Sequence, residues 1–345
     1  MEHVPRIQSK LLDLDQERII REIAERKAKQ ILLQVPEGLR PQAFRLARQI
    51  EKDTSAKTII SADPCYGSCD LAANEASLLG ADLVVHLGHS EAFTPKGEKY
   101  LFIEARSSVD VADVVRQAAI ELRSERTIGL ASVIQHISEL EKAKRILEES
   151  GRTVVIGKRT TELKYDGQIL GCQFETVKSI ASEVDAFVIL AGGTFHGLGV
   201  RVATGKRTIV CDPFQNQARD MEELAKSFFR VRYANIESFR QIRRVGILIG
   251  LKTGQFRLIR AEEMRHILEK RGYECAMLAL REMDPIILEN FSDIEGFVNT
   301  GCPRIAWDDQ ERFRRPVLNP EEVMIALGVS RWEDYAKEDN SSKGT

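Results

Sequence analysis

The residues whose types and spacing could do chemistry are three cysteines set far apart: Cys69 in DPCYGSCD, Cys172 in QILGCQF and Cys302 in VNTGCPR. Each stands in a short loop where a strand-like run ends, with a glycine close by: Gly67, Gly171 and Gly301. Glycine lets a backbone turn sharply or approach a bulky ligand. Three thiolates delivered from three separate places would hold an iron–sulfur cluster and leave one iron open to another ligand. Cysteines used for packing lie inside apolar runs instead, as Cys211 in TIVCD and Cys275 in YECAML do, and these two are read as core. Cys65, four residues before Cys69, is a spare thiol, a neighbour of the site or an alternative ligand.

Other polar residues fall in loops that follow apolar runs. His196, with Gly193 in the same AGGTFHGLG stretch, is placed in a glycine-rich loop at a strand's carboxyl end and read as a ligand contact. Gln255 in KTGQ and Glu37 in PEG are expected to contact a polar ligand or to cap the helices that follow. Arg304, with Asp308 and Asp309 in CPRIAWDD, would orient a carboxylate or form an ordinary ion pair. His86 and His89 in VVHLGHS straddle a predicted strand end. Several familiar signatures fail: ATGKR (203–207) lacks the leading glycine of a phosphate-binding loop and carries Arg207 where Ser or Thr would hold magnesium. GTFHGLG lacks dinucleotide spacing, and without a C-x-x-C pair a zinc ribbon is not expected. Cys65 and Cys69 with Ala72 are one thiol short of a local three-cysteine cluster loop.

Elements must exist to position these loops, and the apolar runs supply them. ILLQV (31–35), TIISA (58–62), DLVVHLG (82–88) and YLFIEA (100–105) read as buried parallel strands, with helical spacing in PQAFRLARQIEKD and CDLAANEASLLGAD between them. A second set follows: RTIGLASV (126–133), TVVIG (153–157), AFVILAGG (186–193) and RTIVCDP (207–213), with helices near 137–150 and 175–184. A helical stretch at 216–242 precedes a third set, RVGILIG (244–250), YECAMLAL (273–280) and GFVNTGC (296–302), with a helix near 257–271. Strand–helix alternation predicts an α/β fold of small parallel sheets. Three rounds predict three related α/β domains, 1–108, 109–215 and 216–345, carrying Cys69, Cys172 and Cys302 in turn and arranged around a central cluster site. The loops VPEGLR, VIQHIS and LKTGQF would occupy equivalent positions, where open α/β sheets bind ligands.

Bulk properties exclude several classes. The 345 residues carry a net charge of −2, which gives no basic footprint for nucleic acid. No apolar run nears the roughly 20 residues that span a bilayer. The charged first thirty residues lack a signal-peptide core, and six cysteines without an export signal point to the reducing cytoplasm. The tail KEDNSSKGT is expected to be disordered.

In order along the chain, PEGLR, YGSCDLA, HLGHS, QHI, GQILGC, FHGLGVRVATGK, DPF, KTGQFRL, CPRIAWDD and RPVLNPEE resemble the archaeal diphthamide synthase family. That resemblance implies a homodimeric 3-amino-3-carboxypropyl transferase that modifies translation elongation factor 2. It implies a [4Fe–4S] cluster held by Cys69, Cys172 and Cys302, with S-adenosylmethionine at the open iron and an external electron donor. Cleavage of the bond between sulfur and the γ-carbon would give methylthioadenosine and a 3-amino-3-carboxypropyl radical, which adds to C2 of a histidine imidazole. Three alternatives remain at this point. One is a quinolinate synthase, whose three cysteines also hold an open-iron cluster. Another is a catalytically silent subunit that binds the elongation factor or relays electrons. The third is a structural zinc site, which would hold zinc instead of iron.

Overall fold

A continuous apolar run can be a strand only if both its faces are covered, and that condition organises this chain. The computed structural model describes residues 12–92 and 99–337, so all but the first residue of the expected disordered tail lies outside the described residues. In chain order the strands are β1 (Leu12–Asp13), β2 (Gln30–Gln34), β3 (Lys57–Ile60), β4 (Leu83–Leu87), β5 (Tyr100–Ile103), β6 (Arg106–Ser107), β7 (Thr127–Ser132), β8 (Thr153–Val155), β9 (Ala186–Leu190), β10 (Arg207–Asp212), β11 (Gln217–Asp220), β12 (Arg244–Gly250), β13 (Glu274–Leu280), β14 (Gly296–Asn299) and β15 (Val317–Leu318). Apart from a small β1–β6 pairing, they form three sheets, ordered β3-β2-β4-β5, β8-β7-β9-β10-β11 and β13-β12-β14-β15. Every pairing in these three sheets is parallel except β10 with β11. The α/β class expected from the sequence is the class observed.

All three sheets share one connectivity. The second strand flanks the first on one side, and the third and fourth follow on the other. A shared side-chain device accompanies it. Asp82, just before β4, accepts hydrogen bonds from the backbone N–H groups of Lys29 and Gln30 at 2.8 and 2.9 Å. Asp185, just before β9, does the same for Arg126 and Thr127, and Glu295, just before β14, for Arg243 and Arg244. These backbone bonds, led by those from Gln30, Thr127 and Arg243, hold all three carboxyls below their ordinary range, Glu295 at about 2. An acidic residue thus ties the amino end of the first strand to the third in each sheet.

The chain divides into two compact units, Met1–Gly197 with Lys206–Asp220 and Leu198–Gly205 with Met221–Thr345. In the first unit, Ile31, Leu33, Val85 and Leu87 point to one face and meet Ala43, Leu46 and Ile50 of the helix Arg40–Thr54. Leu32 and Val84 point to the other and meet Ala72 and Ala76, as the two-residue period of a strand requires. The second sheet packs Ile128, Leu130, Val188 and Ile209 against Val114, Val115 and Ala118 of the helix Ala112–Glu121 and Ala143 and Leu147 of Leu140–Glu149. In the second unit, the helices Glu222–Arg240 and Leu258–Glu269 cover one face of the third sheet through Ile236, Phe239, Met264 and Leu268. Leu248 and Phe297 face Leu288, Ala306 and Phe313 on the other.

The structure corrects some sequence expectations. The helical stretch expected at 216–242 begins only at Glu222, because Gln217–Asp220 returns antiparallel along β10 through backbone bonds that need no apolar pattern. His196 lies in the first turn of a helix, Phe195–Thr204, and not in a loop. Cys275 is only half-buried on the edge strand β13, whereas Cys211 is fully buried. The run QILGC forms no strand: Gln168 makes a single parallel bridge to Ser132 after an excursion from β8.

One buried ion pair anchors the second unit. Arg232 and Glu322 are both 0% exposed, and the guanidinium meets the carboxylate through two contacts of 2.7 Å. Arg232 also donates to the carbonyls of Ala306 and Val317, while Glu322 accepts from Tyr335 and from the backbone N–H of Asn319 in a capping box. Removing one partner strands the other charge. Glu322→Ala is therefore expected to destabilise the chain by about 3–5 kcal/mol, and the double variant Arg232→Met/Glu322→Leu by less, as read from urea unfolding midpoints. A double variant as unstable as the single would show that the pair contributes more than mutual compensation.

Buried imidazoles set a pH response. Burial lowers His86 well below its ordinary 6.5 and His136 to about 4, although nearby Asp212 pulls His136 upward. His89 is lowered to about 4 by the same cause. In the unfolded chain these rings gain protons as pH falls through 6.5, while in the folded chain His89 and His136 refuse them until about 4. Stability is thus full above that window and lost as pH falls through it. Melting temperatures measured across it should decline, and His136→Phe should flatten the decline; an unchanged slope would exclude His136 as a contributor.

Candidate functional site

Segments that follow the carboxyl ends of parallel strands carry the expected residues, with His196 and Arg304 at the starts of short helices. In the first unit, β3 ends at Ile60 and the chain runs through Cys65 and Cys69 before the helix Ala73–Leu78. Asp70 N–H closes a turn on the Gly67 carbonyl at 3.0 Å, leaving Ser68 and Asp70 buried and Cys69 half-buried. Gln34, the last residue of β2 and 2% exposed, reaches across to this loop. Its Nε2 donates to the Asp70 carbonyl at 2.6 Å and its Oε1 accepts from Ala72 N–H at 3.2 Å.

The same Oε1 lies 2.9 Å from His86 Nδ1, and His86 Nε2 lies 2.9 Å from His89 Nδ1. An amide oxygen can only accept, so His86 carries its proton on Nδ1 and presents Nε2 as an acceptor to His89. Cys65, 5% exposed, completes this group: one ligand-type atom from each of Cys65, His86 and His89 lies within 4.8 Å of the others. His86 and His89 do straddle the end of β4, as the sequence suggests.

Cys172 is exposed and follows the Ser132–Gln168 bridge beside β7. The neighbouring glycine is demanded by space, since a Cβ on Gly171 would meet the Phe195 ring at 2.4 Å. Loops of the two sheets of this unit touch one another. Gln168 Nε2 donates to Ser90 Oγ at 2.6 Å, and Gln135 Nε2 to the Gly88 carbonyl at 3.3 Å. Beyond β9, Gly193 turns the chain with a φ of 66° and gives its N–H to Asp212 at 2.8 Å. His196 follows and meets Phe195 edge-on, with ring centroids 4.8 Å apart. His136, in the short 3-10 helix Ile134–Glu139 after β7, is 0% exposed and tilted against Phe214; neither ring nitrogen has a hydrogen-bond partner among the described residues.

In the second unit Cys302 is half-buried after β14. Asn299, the last residue of β14 and 1% exposed, donates Nδ2 to the Cys302 carbonyl at 2.7 Å and accepts Gly301 N–H at 3.1 Å. Asn319 fixes the next residue by donating to the Pro303 carbonyl at 3.0 Å. A Cβ on Gly301 would meet Met283 Cε at 2.6 Å. Arg304 is 5% exposed and forms a two-point ion pair with Asp308 at 2.6 and 2.9 Å, its guanidinium 5.4 Å from the Trp307 ring centre. Burial raises the Asp308 carboxyl even so. Gln255 is buried in the turn after β12, where its N–H meets the Lys252 carbonyl at 2.9 Å.

The donor chemistry suits an iron–sulfur cluster. The three thiols stand on loops with small residues beside them, and a Cβ on Gly67 would lie against Cys69 Sγ at 3.6 Å. Cys211 differs: burial alone pushes its thiol far up, away from thiolate chemistry. Burial also leads the rise of Cys275, to about 11. Sequence reasoning missed the holding residues Gln34, Asn299 and Asn319, and it named His136 only inside a motif. The one signal for Gln34 and Asn299 was an amide at the last position of an apolar strand, in ILLQ and GFVN.

Comparison with known proteins identifies the family. The sequence model of the diphthamide synthesis protein family matches residues 35–336. The chain is 32% identical over 326 residues to the 2-(3-amino-3-carboxypropyl)histidine synthase of Pyrococcus horikoshii, covering 94% of this chain and 93% of that protein. It is 28% identical to subunit 1 of the Gallus gallus synthase, over 90% of this chain and 76% of that one. The crystal structure of Dph2 from Pyrococcus horikoshii with a 4Fe-4S cluster superposes with a TM-score of 0.85, at 32% identity, over 93% of this chain and 92% of its own. By sequence and by structure alike, the chain belongs to the diphthamide synthesis family.

Proposed function

We propose that this chain transfers a 3-amino-3-carboxypropyl group from S-adenosylmethionine to C2 of a histidine imidazole in translation elongation factor 2, the first step of diphthamide biosynthesis. The observation that carries the proposal is the placement of Cys69, Cys172 and Cys302 in loops at strand carboxyl ends, in a chain of the diphthamide synthesis family. The Pyrococcus relative bears the synthase's name, and the solved Dph2 structure holds a 4Fe-4S cluster.

Cys69, Cys172 and Cys302 are read as the ligands of a [4Fe–4S] cluster. When bound, that cluster supplies the electron that cleaves S-adenosylmethionine and releases methylthioadenosine. Three thiolates from the chain leave the fourth iron open for substrate. Gly171 and Gly301 keep the backbone beside two of them free of any Cβ. Gly193, His196, Gln255 and Arg304 are the proposed contacts to S-adenosylmethionine. Arg304 would act with its orientation already fixed by Asp308, which suits recognition of a carboxylate.

The shared strand order and the Asp82, Asp185 and Glu295 ties support three related domains, 1–108, 109–215 and 216–345. The elongation factor is the protein partner, a second copy completes a homodimer, and an external donor supplies electrons, with no direct nucleic acid partner. A cytoplasmic setting suits this chemistry. Among the described residues no helix is long and apolar enough to cross a membrane.

Anaerobic incubation of the reconstituted chain with dithionite, S-adenosylmethionine and archaeal elongation factor 2 should add one aminocarboxypropyl group to a histidine of the factor. Methylthioadenosine should appear alongside, both products read by mass spectrometry. Cys69→Ala, Cys172→Ala and Cys302→Ala should each abolish transfer, while Cys211→Ala and Cys275→Ala spare it. Quinolinate among the products, or intact S-adenosylmethionine beside a normal cluster spectrum, would overturn the assignment.

A further inference from the structure

Two of the three thiol loops are held by the same device in unrelated stretches of sequence. Gln34 closes β2 and Asn299 closes β14, and both carboxamides are buried, 2% and 1% exposed. A buried amide is costly unless its donors and acceptors are used. An apolar residue would complete either strand more simply. Each amide instead commits itself to the backbone around one cysteine. Gln34 grips the segment after Cys69 at two points, the Asp70 carbonyl and the Ala72 N–H. Asn299 grips the Cys302 carbonyl itself and the Gly301 N–H before it.

Both amides are oriented in turn by a further buried polar group. His86 Nδ1 holds the Gln34 oxygen at 2.9 Å, and Asn319 Oδ1 accepts from Asn299 Nδ2 at 2.9 Å. The result is a rigid chain from strand to amide to loop backbone, ending at or beside the residue that carries the thiol. Near Cys172, Leu170 N–H donates to the Gln173 carbonyl at 3.1 Å and Gln173 Nε2 to Glu162 at 2.5 Å.

We propose that Gln34 and Asn299 are positioning residues that hold Cys69 and Cys302 in their iron-binding conformation. This rests on those cysteines being cluster ligands, as read above. Metal sites tolerate little looseness in their ligands, and groups that orient ligands from behind typically change metal affinity by about 10–100-fold. Loss of the amide N–H should therefore loosen the iron site without unfolding the sheet.

The test uses the reconstituted full chain. Gln34→Glu and Asn299→Asp keep the size and the acceptor oxygen but set a second oxygen against a carbonyl. Thr208→Val, which removes a buried hydroxyl bonded to the Lys206 carbonyl, serves as the control. Three quantities are read: iron per chain, the electron paramagnetic resonance spectrum after dithionite reduction, and the rate at which a ferrous chelator extracts iron. Both amide variants should lose iron on the order of tenfold faster than wild type and the control, with an altered resonance line and melting temperatures like that of the control. Wild-type extraction rates and spectra in folded variants would overturn the proposal. If either variant fails to fold, Gln34→Met and Asn299→Leu replace it: faster iron loss supports the proposal and wild-type rates overturn it. Cys69→Ala and Cys302→Ala are run beside them: full iron retention there would sink the ligand assignment and the clamps with it. Cluster loss in the cysteine variants alone would sink only the clamps.

Discussion

Parallel pairing is the constraint on which the rest of this structure depends. When all neighbouring strands run the same way, their carboxyl ends share one edge of the sheet and their amino ends the other. The two edges here are used differently. Amino ends carry acidic ties, with Asp82, Asp185 and Glu295 each accepting from two successive N–H groups where the first strand begins. Carboxyl ends carry thiols, amides and imidazoles. The edge that stabilises each sheet is thus kept apart from the edge that can react.

Within that frame, buried polar groups do the positioning. Gln34, His86 and His89 form one hydrogen-bonded line under the Cys69 loop, and Asn299 with Asn319 forms another around Cys302. The Arg232–Glu322 pair fixes the helix Pro320–Ala326, whose capping residue is Asn319. The ion pair therefore lies one residue contact away from the amide line that reaches Cys302. Packing alone gives loops of roughly the right shape. Directional bonds at strand ends decide where a sulfur sits.

Much of the fold was legible because buried parallel strands announce themselves as short apolar runs, as ILLQV and RVGILIG do. Gln217–Asp220 was not legible, since a polar strand held by backbone bonds carries no pattern. The helix containing His196 was hidden by its glycines, which read as loop until Gly193 is seen to make the turn and Phe195 to begin the helix. The candidate thiols could be read from their glycine neighbours. Their supports could not: Gln34 acts 36 residues away on Asp70, and Asn299, though only three residues from Cys302, is aimed by Asn319 twenty residues on. Sequence shows which groups are chemically able, whereas the groups that aim them are found only in three dimensions.

The order in which the sheets are completed along the chain has a consequence for biosynthesis. The first sheet closes within residues 30–103 and the second within 127–220, so each can form on the ribosome before the next set of strands emerges. Leu198–Gly205 breaks this order, for it belongs with the second unit although it is synthesised between β9 and β10. Leu198 and Val202 bury themselves against Ala225 and Phe228, which are made later. A nascent chain must therefore carry this apolar half-helix uncovered until the helix Glu222–Arg240 leaves the exit tunnel.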